Sequence, residues 1–277
     1  MIDLHAHTTA SDGRSAPHAL VDEAIAAGCV VLAVTDHDTV AGIAAARLAA
    51  AAGGLRLVDG IEMSAVADGV DLHILGYFID VDDESLGAFL RTQREQRIDR
   101  VRAIGERLAR AGVPVDAEAI VASAIGSGRA VGRPAIAQAL IAAGHAVDVP
   151  DAFARYLSIG RPGYAPRAGA PPADVIARIR AAGGIASIAH PGKTRRDDLI
   201  PSLVDAGLGA IEAYHTDHTV ADVVRYQTMA DRLGVVVSGG SDYHGPGSGR
   251  TQGLGHVGLP PAAFERLVER ADRTRRR

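Results

Sequence analysis

An α/β fold on a mainly parallel sheet, closed or nearly closed into a barrel, is what these 277 residues predict. Three observations carry that expectation: apolar runs of strand length, alanine-rich stretches of helical spacing between them, and glycines where one should give way to the other. The length suits it, since a barrel of alternating strands and helices takes about 250 residues.

The first strand runs into His5 and His7. Later strands are expected at Val30–Val34, Leu55–Val58, Ile185–Ala189, Ala210–Ala213 and Val235–Val237, because each is a short buried-type apolar run. Helices are expected at Pro17–Ala27, Val40–Ala52, Pro172–Ala182 and Val220–Leu233, with Gly28, Gly53, Gly183 and Gly234 placed to end them. Asp68-Gly69 reads as a turn joining two strands, Met63–Ala67 and Val70–Phe78. The rhythm then breaks. A long arginine-rich helix is expected over Glu84–Ala111, with further helical pieces near Ala117–Ala124, Pro134–Ala143 and Ala152–Leu157. Residues 82–167 therefore read as a helical insertion, ending in the turn-rich Gly160-Arg161-Pro162-Gly163-Tyr164, and residues 1–81 and 168–277 form the α/β body. The terminal Arg273–Arg277 reads as a solvated end.

Composition excludes several classes of function. Hydrophobic residues make up 47% and charged residues 22%, as in ordinary globular proteins, and no apolar run reaches the roughly 18 residues of a membrane helix. The opening Met1-Ile2-Asp3-Leu4-His5 lacks the basic segment and apolar stretch of a secretory signal, so a cytoplasmic address is expected. The single cysteine, Cys29, sits in the apolar run Gly28–Leu32 and reads as a buried, inert thiol. A net charge of −4, with 4% aromatics and no tryptophan, argues against long nucleic acid. A Walker A loop, a dinucleotide-binding glycine fingerprint and a nucleophile-elbow serine are all absent.

Histidine is the residue type to follow, with eleven in the chain. His5, His7, Asp12, His37, Glu62, His73, His190, Asp242 and His244 lie at or just past successive expected strands. In a parallel α/β fold those strand ends share one face, where active sites are built, so residues more than 230 positions apart converge. His5 and His7 are two apart on an extended chain and share a face, as two ligands of one ion would. Any one motif has an ordinary alternative: a turn, a helix cap, a polar residue on a strand. Six histidines and three carboxylates together point to metal ligation. Nine ligands exceed what one ion needs, so two or three ions are expected, with a carboxylate bridging a pair. Imidazole with carboxylate suits zinc, manganese or iron better than calcium or magnesium.

Asp3-Leu4-His5-Ala6-His7, Ser11-Asp12-Gly13, Thr35-Asp36-His37-Asp38, Gly60-Ile61-Glu62, His73-Ile74-Leu75-Gly76, His190-Pro191-Gly192 and Ser241-Asp242-Tyr243-His244 together resemble the polymerase and histidinol phosphatase (PHP) family. The resemblance implies a distorted (β/α)7 barrel with a metal cluster at the carboxyl ends of its strands. It implies one ion on His5, His7, Glu62 and Asp242, a second on Glu62, His73 and His190, and a third on Asp12, His37 and His244. Gly132–Ala137, Ala152–Leu157 and Gly160–Tyr164 resemble the stand-alone members that act on nucleotides, among them 3′,5′-nucleoside bisphosphate phosphatases and an exonuclease of short RNA.

A phosphate ester suits such a cluster, because two ions can acidify a bridging water for in-line attack on phosphorus. Arg133, Lys193 and His218 are the expected contacts to the reacting phosphoryl group, with His218 as proton donor to the leaving oxygen; Arg161 and Tyr164 are candidates for a second phosphate or the base. His18, His145, His215 and His256 are left for other roles. The expected activity is removal of the 3′-phosphate from small nucleotides. Competing readings are 5′–3′ cleavage of short RNA, histidinol phosphate hydrolysis, amide-bond hydrolysis, and a non-catalytic binding module.

Overall fold

Among the described residues seven strands lie side by side in sequence order: β1 (Ile2–Asp3), β2 (Val31–Val34), β3 (Arg56–Ala67), β4 (Val70–Tyr77), β5 (Ile185–Ile188), β6 (Ala210–His215) and β7 (Val236–Gly240). The structure is a computed structural model that describes residues 1–127, 130–166, 169–248 and 253–275. Helices α1 (Pro17–Ala26) and α2 (Ile43–Gly53) join the first strands, and α7 (Pro172–Ala181) leads into β5. Two short helices, α8 (Pro191–Thr194) and α9 (Ile200–Asp205), follow β5, α10 (Val220–Leu233) joins β6 to β7, and α11 (Pro261–Arg275) closes the described chain.

The ends of the sheet meet. The Leu4 N–H donates to the Gly239 carbonyl at 3.1 Å, and the His7 N–H donates to that of Tyr243 at 2.8 Å, so the first and last strands form a nearly closed barrel. This seam requires glycine: a Cβ on Gly240 would stand 2.6 Å from the His5 Cβ and closer still to the His5 backbone nitrogen. Gly240→Ala is expected to destabilise the fold by about 1–3 kcal/mol, as overpacking does. A denaturation midpoint equal to that of the wild type would show that the seam tolerates a wider gap.

The sheet is mainly parallel, as expected, and the expected hairpin interrupts it. β4 runs antiparallel to both β3 and β5, while the other four pairings are parallel. The cause is the Asp68-Gly69 turn, in which both residues take positive φ (51° and 76°), the geometry of a tight two-residue hairpin. The expected strands at Leu55–Val58 and Met63–Ala67 are one continuous strand, whose first part pairs with β2 and whose second part pairs with β4. β1 stops at Asp3, so His5 and His7 lie beyond it, on the seam. Gly53 is the last residue of α2, and Gly54, at φ 71°, makes the turn expected of it. Helix α11 was not expected; its apolar Ala263, Phe264, Leu267 and Ala271 are buried and lie about one helical turn apart.

Between β4 and β5 the described chain is helical: α3 (Glu84–Arg110), α4 (Ala117–Ser127), α5 (Arg133–Ala142) and α6 (Val149–Ala152), then one π-helical turn over Phe153–Leu157 in place of the ordinary helix expected there. Asp83 starts α3 by accepting the Leu86 N–H at 2.7 Å. The buried face of α3, Leu86, Leu90, Gln93, Val101, Ile104 and Leu108, follows the three-and-four spacing of an amphipathic helix. Leu86 and Leu90 pack into the barrel core, whereas Val101, Ile104 and Leu108 belong to a second apolar core formed with α4, α5 and the π turn. One helix thus ties the two cores together. The boundary set between residues 167 and 168 lies outside the described residues, as do Arg276 and Arg277 of the basic terminus.

Cys29 is buried, and burial pushes its thiol up to about 11. Among the described residues no helix is long and apolar enough to cross a membrane.

Candidate metal centre

The first turn past β1 supplies His5 and His7, and β3 supplies Glu62 from within the strand rather than from beyond its end. Glu62 is the hub. Its Oε2 stands 3.4 Å from His5 Nε2, 3.3 Å from His7 Nε2 and 3.1 Å from His37 Nδ1. Its Oε1 stands 2.9 Å from His73 Nδ1 and 3.2 Å from His190 Nε2. Asp242 Oδ1 faces His5 and His7 at 3.4 and 3.2 Å, opposite Glu62. Asp12 meets His244 Nε2 at 3.3 Å and His37 Nε2 at 3.9 Å. All nine residues singled out from the sequence therefore occupy one end of the barrel.

Their chemistry is that of a cation site. Potential ligand atoms of His5, His7, Glu62 and Asp242 lie within 4.8 Å of one another, as do those of His7, Asp12, His37 and His244, and those of His37, Glu62 and His73. Several buried polar atoms here make no hydrogen bond, including His5 Nε2, both ring nitrogens of His7, Asp12 Oδ1, His37 Nδ1, Glu62 Oε2 and His73 Nδ1. Buried polar atoms are normally satisfied, so orphans concentrated at one point fit divalent ions held there. Burial alone would raise the carboxyl of Glu62, yet His37, His73 and His5 outweigh it and hold the group well below the usual carboxylate range. Burial likewise opposes charge on His7, but Asp242 and Glu62 raise it to about 9; His190, which burial dominates, falls to about 4. The pocket is built to hold positive charge.

The sequence reading missed two residues, both on β6. Glu212 Oε1 accepts from His5 Nδ1 at 2.9 Å, which turns His5 Nε2 towards the cluster, and Oε2 accepts the His190 N–H at 2.6 Å. That second bond holds a strained turn, since His190 takes φ 30°. His215 Nδ1 accepts the Asp217 N–H at 3.0 Å, which assigns its proton to Nε2, 3.4 Å from Asp242 Oδ2. Such outer carboxylates and imidazoles orient metal ligands. The signal was available: Glu212 and His215 lie at or just past the carboxyl end of the expected strand Ala210–Ala213, as most of the other metal-ligand candidates lie at the ends of theirs.

The substrate candidates are placed unevenly. Arg133, the first residue of α5, donates to Asp71 Oδ2 at 3.1 Å and lines a recess beside the cluster. Lys193 Nζ lies 3.7 Å from Asp242 Oδ2 and 3.2 Å from Asp217 Oδ2, at the rim. His218 does not fit the proton-donor role. Its Nδ1 bonds to the Ala213 carbonyl at 2.9 Å and its Nε2 accepts the Gly192 N–H at 3.1 Å, so both ring nitrogens are engaged by backbone and no ring proton faces a leaving group. Arg161 is exposed and Tyr164 half-buried, and neither lines the two cavities that open onto the cluster. The larger cavity, about 850 Å³, runs from Asp12, His37 and His244 to the apolar Ile120, Val131, Pro134 and Val149. The smaller, about 140 Å³, is lined by Asp12, His37 and His73 on one side and by Arg97, Arg100 and Arg133 on the other.

Residues 3–109 match the model of the PHP domain. Over 266 residues, 94% of this chain and 93% of the other, the chain is 36% identical to a 3′,5′-nucleoside bisphosphate phosphatase of Chromobacterium violaceum. It is 36% identical over 251 residues to the 5′–3′ exoribonuclease Rnm of Salmonella typhimurium, covering 88% of this chain and 85% of that one. A protein of Bifidobacterium adolescentis, proposed to be a metal-dependent phosphoesterase, superposes with a TM-score of 0.88 at 33% identity, over 97% of this chain and 95% of that one.

Proposed function

The chain belongs to the PHP domain family, and on that premise we propose that it is a metal-dependent phosphoesterase that removes the 3′-phosphate from small nucleotides such as adenosine 3′,5′-bisphosphate. The observation that carries the reading is Glu62, a buried carboxylate whose two oxygens address five imidazoles. Two or three divalent ions, of manganese, zinc or iron, would acidify a water and polarise the ester when bound. His5, His7, Glu62 and Asp242 would hold the first, Glu62, His73 and His190 the second, and Asp12, His37 and His244 the third.

The chain's own residues do the remaining work. Glu212 and His215 fix the orientation of His5 and Asp242 before any substrate arrives, so little reorganisation accompanies the reaction. Lys193 brings a positive charge to the rim, where the phosphoryl oxygens gain charge. The larger cavity takes the nucleoside against aliphatic side chains and Gln138. Among the described residues its lining has no tryptophan, tyrosine or phenylalanine on which successive bases could stack, which favours one nucleotide over a strand. A cytoplasmic setting suits a small nucleotide substrate and one unpaired, buried cysteine.

The test uses the manganese-loaded protein and follows phosphate release from adenosine 3′,5′-bisphosphate and histidinol phosphate, and mononucleotide release from a cyclic nucleotide and a short 5′-phosphorylated RNA. The bisphosphate is expected to be the best substrate. Faster turnover of the RNA would reassign the enzyme as an exonuclease, and release from none of them would sink the phosphoesterase reading.

A further inference from the structure

We propose that Asp36 is the positioning residue for the third ion of the centre, the one assigned to Asp12, His37 and His244, and that it governs occupancy of that site separately from the first two. The proposal rests on the three-ion reading and deepens it, since it concerns how the chain holds one ion and not which ester is cleaved.

Asp12 is the ligand that needs a brace. Its side chain is 24% exposed, whereas those of His5, His7 and Glu62 are at most 1% exposed. It stands on the loop of residues 8–13, which curls back on itself: the Thr8 carbonyl accepts the Ser11 N–H at 3.1 Å and the Gly13 N–H at 3.0 Å. Whatever anchors Thr8 and Ser11 therefore aims Asp12.

The carboxylate of Asp36 is that anchor. Its Oδ1 accepts the Thr8 N–H at 2.7 Å and the Ser11 hydroxyl at 2.6 Å, and its Oδ2 accepts the Thr8 hydroxyl at 2.7 Å. Thr8 Oγ1 in turn accepts the Ala10 N–H at 3.0 Å. Bonds to an ionised acceptor are short and strong, and three of them converge here on one side chain. Asp36 is itself fixed. It is buried, its carbonyl accepts the Glu62 N–H at 3.2 Å, and α2 packs against it through Gly42, where a Cβ would stand 2.8 Å from Asp36 Oδ2 and 2.9 Å from Thr8 Oγ1.

All three ligands of the third set connect to this residue. His37 is its neighbour in the chain, Asp12 is reached through Thr8 and Ser11, and His244 is reached through Arg14, whose N–H donates to the His244 carbonyl at 2.8 Å. The other sets have their own supports. His5 and His190 take their orientation from Glu212, and His7, although next to Thr8, is held by its N–H on the Tyr243 carbonyl. Loss of the Asp36 carboxylate should therefore loosen one site and spare two.

The experiment titrates metal-free protein with manganese and follows the successive binding steps. Asp12→Asn, which removes a ligand, identifies the third step. Asp36→Ala is expected to weaken that step about 10–100-fold, the range found for outer partners of metal ligands, and to leave the first two in place. Asp36→Asn, which keeps a carbonyl oxygen for the Thr8 N–H and the Ser11 hydroxyl, is expected to recover most of the loss. Thr8→Val and Ser11→Ala keep the carboxylate and remove one bond each, so they are expected to weaken the third step by less, and they carry the test if Asp36→Ala does not fold. An unchanged third step in these variants would overturn the proposal, as would equal weakening of all three steps. Asparagine as damaging as alanine would overturn it too, by assigning the effect to charge and not to the bonds. A wild type that binds only two ions would overturn the three-ion reading and the proposal with it. A wild type that binds three but releases nothing from any phosphate ester would overturn the phosphoesterase reading alone, because the third step is read without activity.

Discussion

Glu62→Ala is expected to lower turnover by at least about 10³-fold, some 4 kcal/mol in the barrier, and to strip the protein of most of its metal. Both oxygens of Glu62 face ring nitrogens, with five histidines within 3.4 Å, so the substitution removes the one anion shared by the first two proposed ligand sets. The fold should survive. Glu62 is 1% exposed, and its removal leaves buried imidazoles, His7 above all, short of a carboxylate partner, so the unfolding midpoint of the metal-free protein is expected to fall. Metal content by elemental analysis, phosphate release and thermal unfolding together check this. A variant that keeps its metal and its turnover would remove Glu62 from the centre of the site.

The second large effect is expected at Glu212, which touches no proposed ion. Glu212→Ala frees His5 Nδ1 and the His190 N–H at once, and is expected to weaken metal affinity about 10–100-fold, the range found for outer partners of metal ligands. Glu212→Gln keeps an acceptor for one of these donors but presents an amide to the other, so an intermediate affinity is expected. Titration of metal-free protein with manganese reads this directly, without reference to activity. Equal affinities in the wild type and both variants would show that His5 and His190 hold their orientations unaided.

Much of the site was legible because ligand chemistry is local in sequence: His-x-His, Asp-His-Asp and Asp-Tyr-His each announce themselves within three residues. The strand and helix succession was legible for a similar reason, as hydrophobic period and glycine placement mark each element on its own. What stayed hidden depends on partners distant in the chain. Glu212 is an acid in an apolar strand until His5, 207 residues away, is placed against it. His218 looks like a free acid until the Gly192 N–H arrives at its Nε2. The antiparallel course of β4 was implied by Asp68-Gly69, but the merging of two expected strands into β3 follows from pairing with different neighbours along its length. Arg100 was one arginine among several on a solvated-looking helix until Asp71 and Arg133 were set beside it.

The barrel seam has a consequence for how the molecule holds together over time. Leu4 and Gly239 are joined across nearly the whole chain, the kind of contact whose loop-closure entropy makes it slow to form and early to fray. Proposed ligands flank it on both sides, His5 and His7 on one, Asp242 and His244 on the other. Ions bound there would act as a clasp on a ring that has no covalent closure. Amide hydrogen exchange at Leu4, His7 and Tyr243 should therefore quicken when chelator is added, while exchange in the core of β3 stays slow.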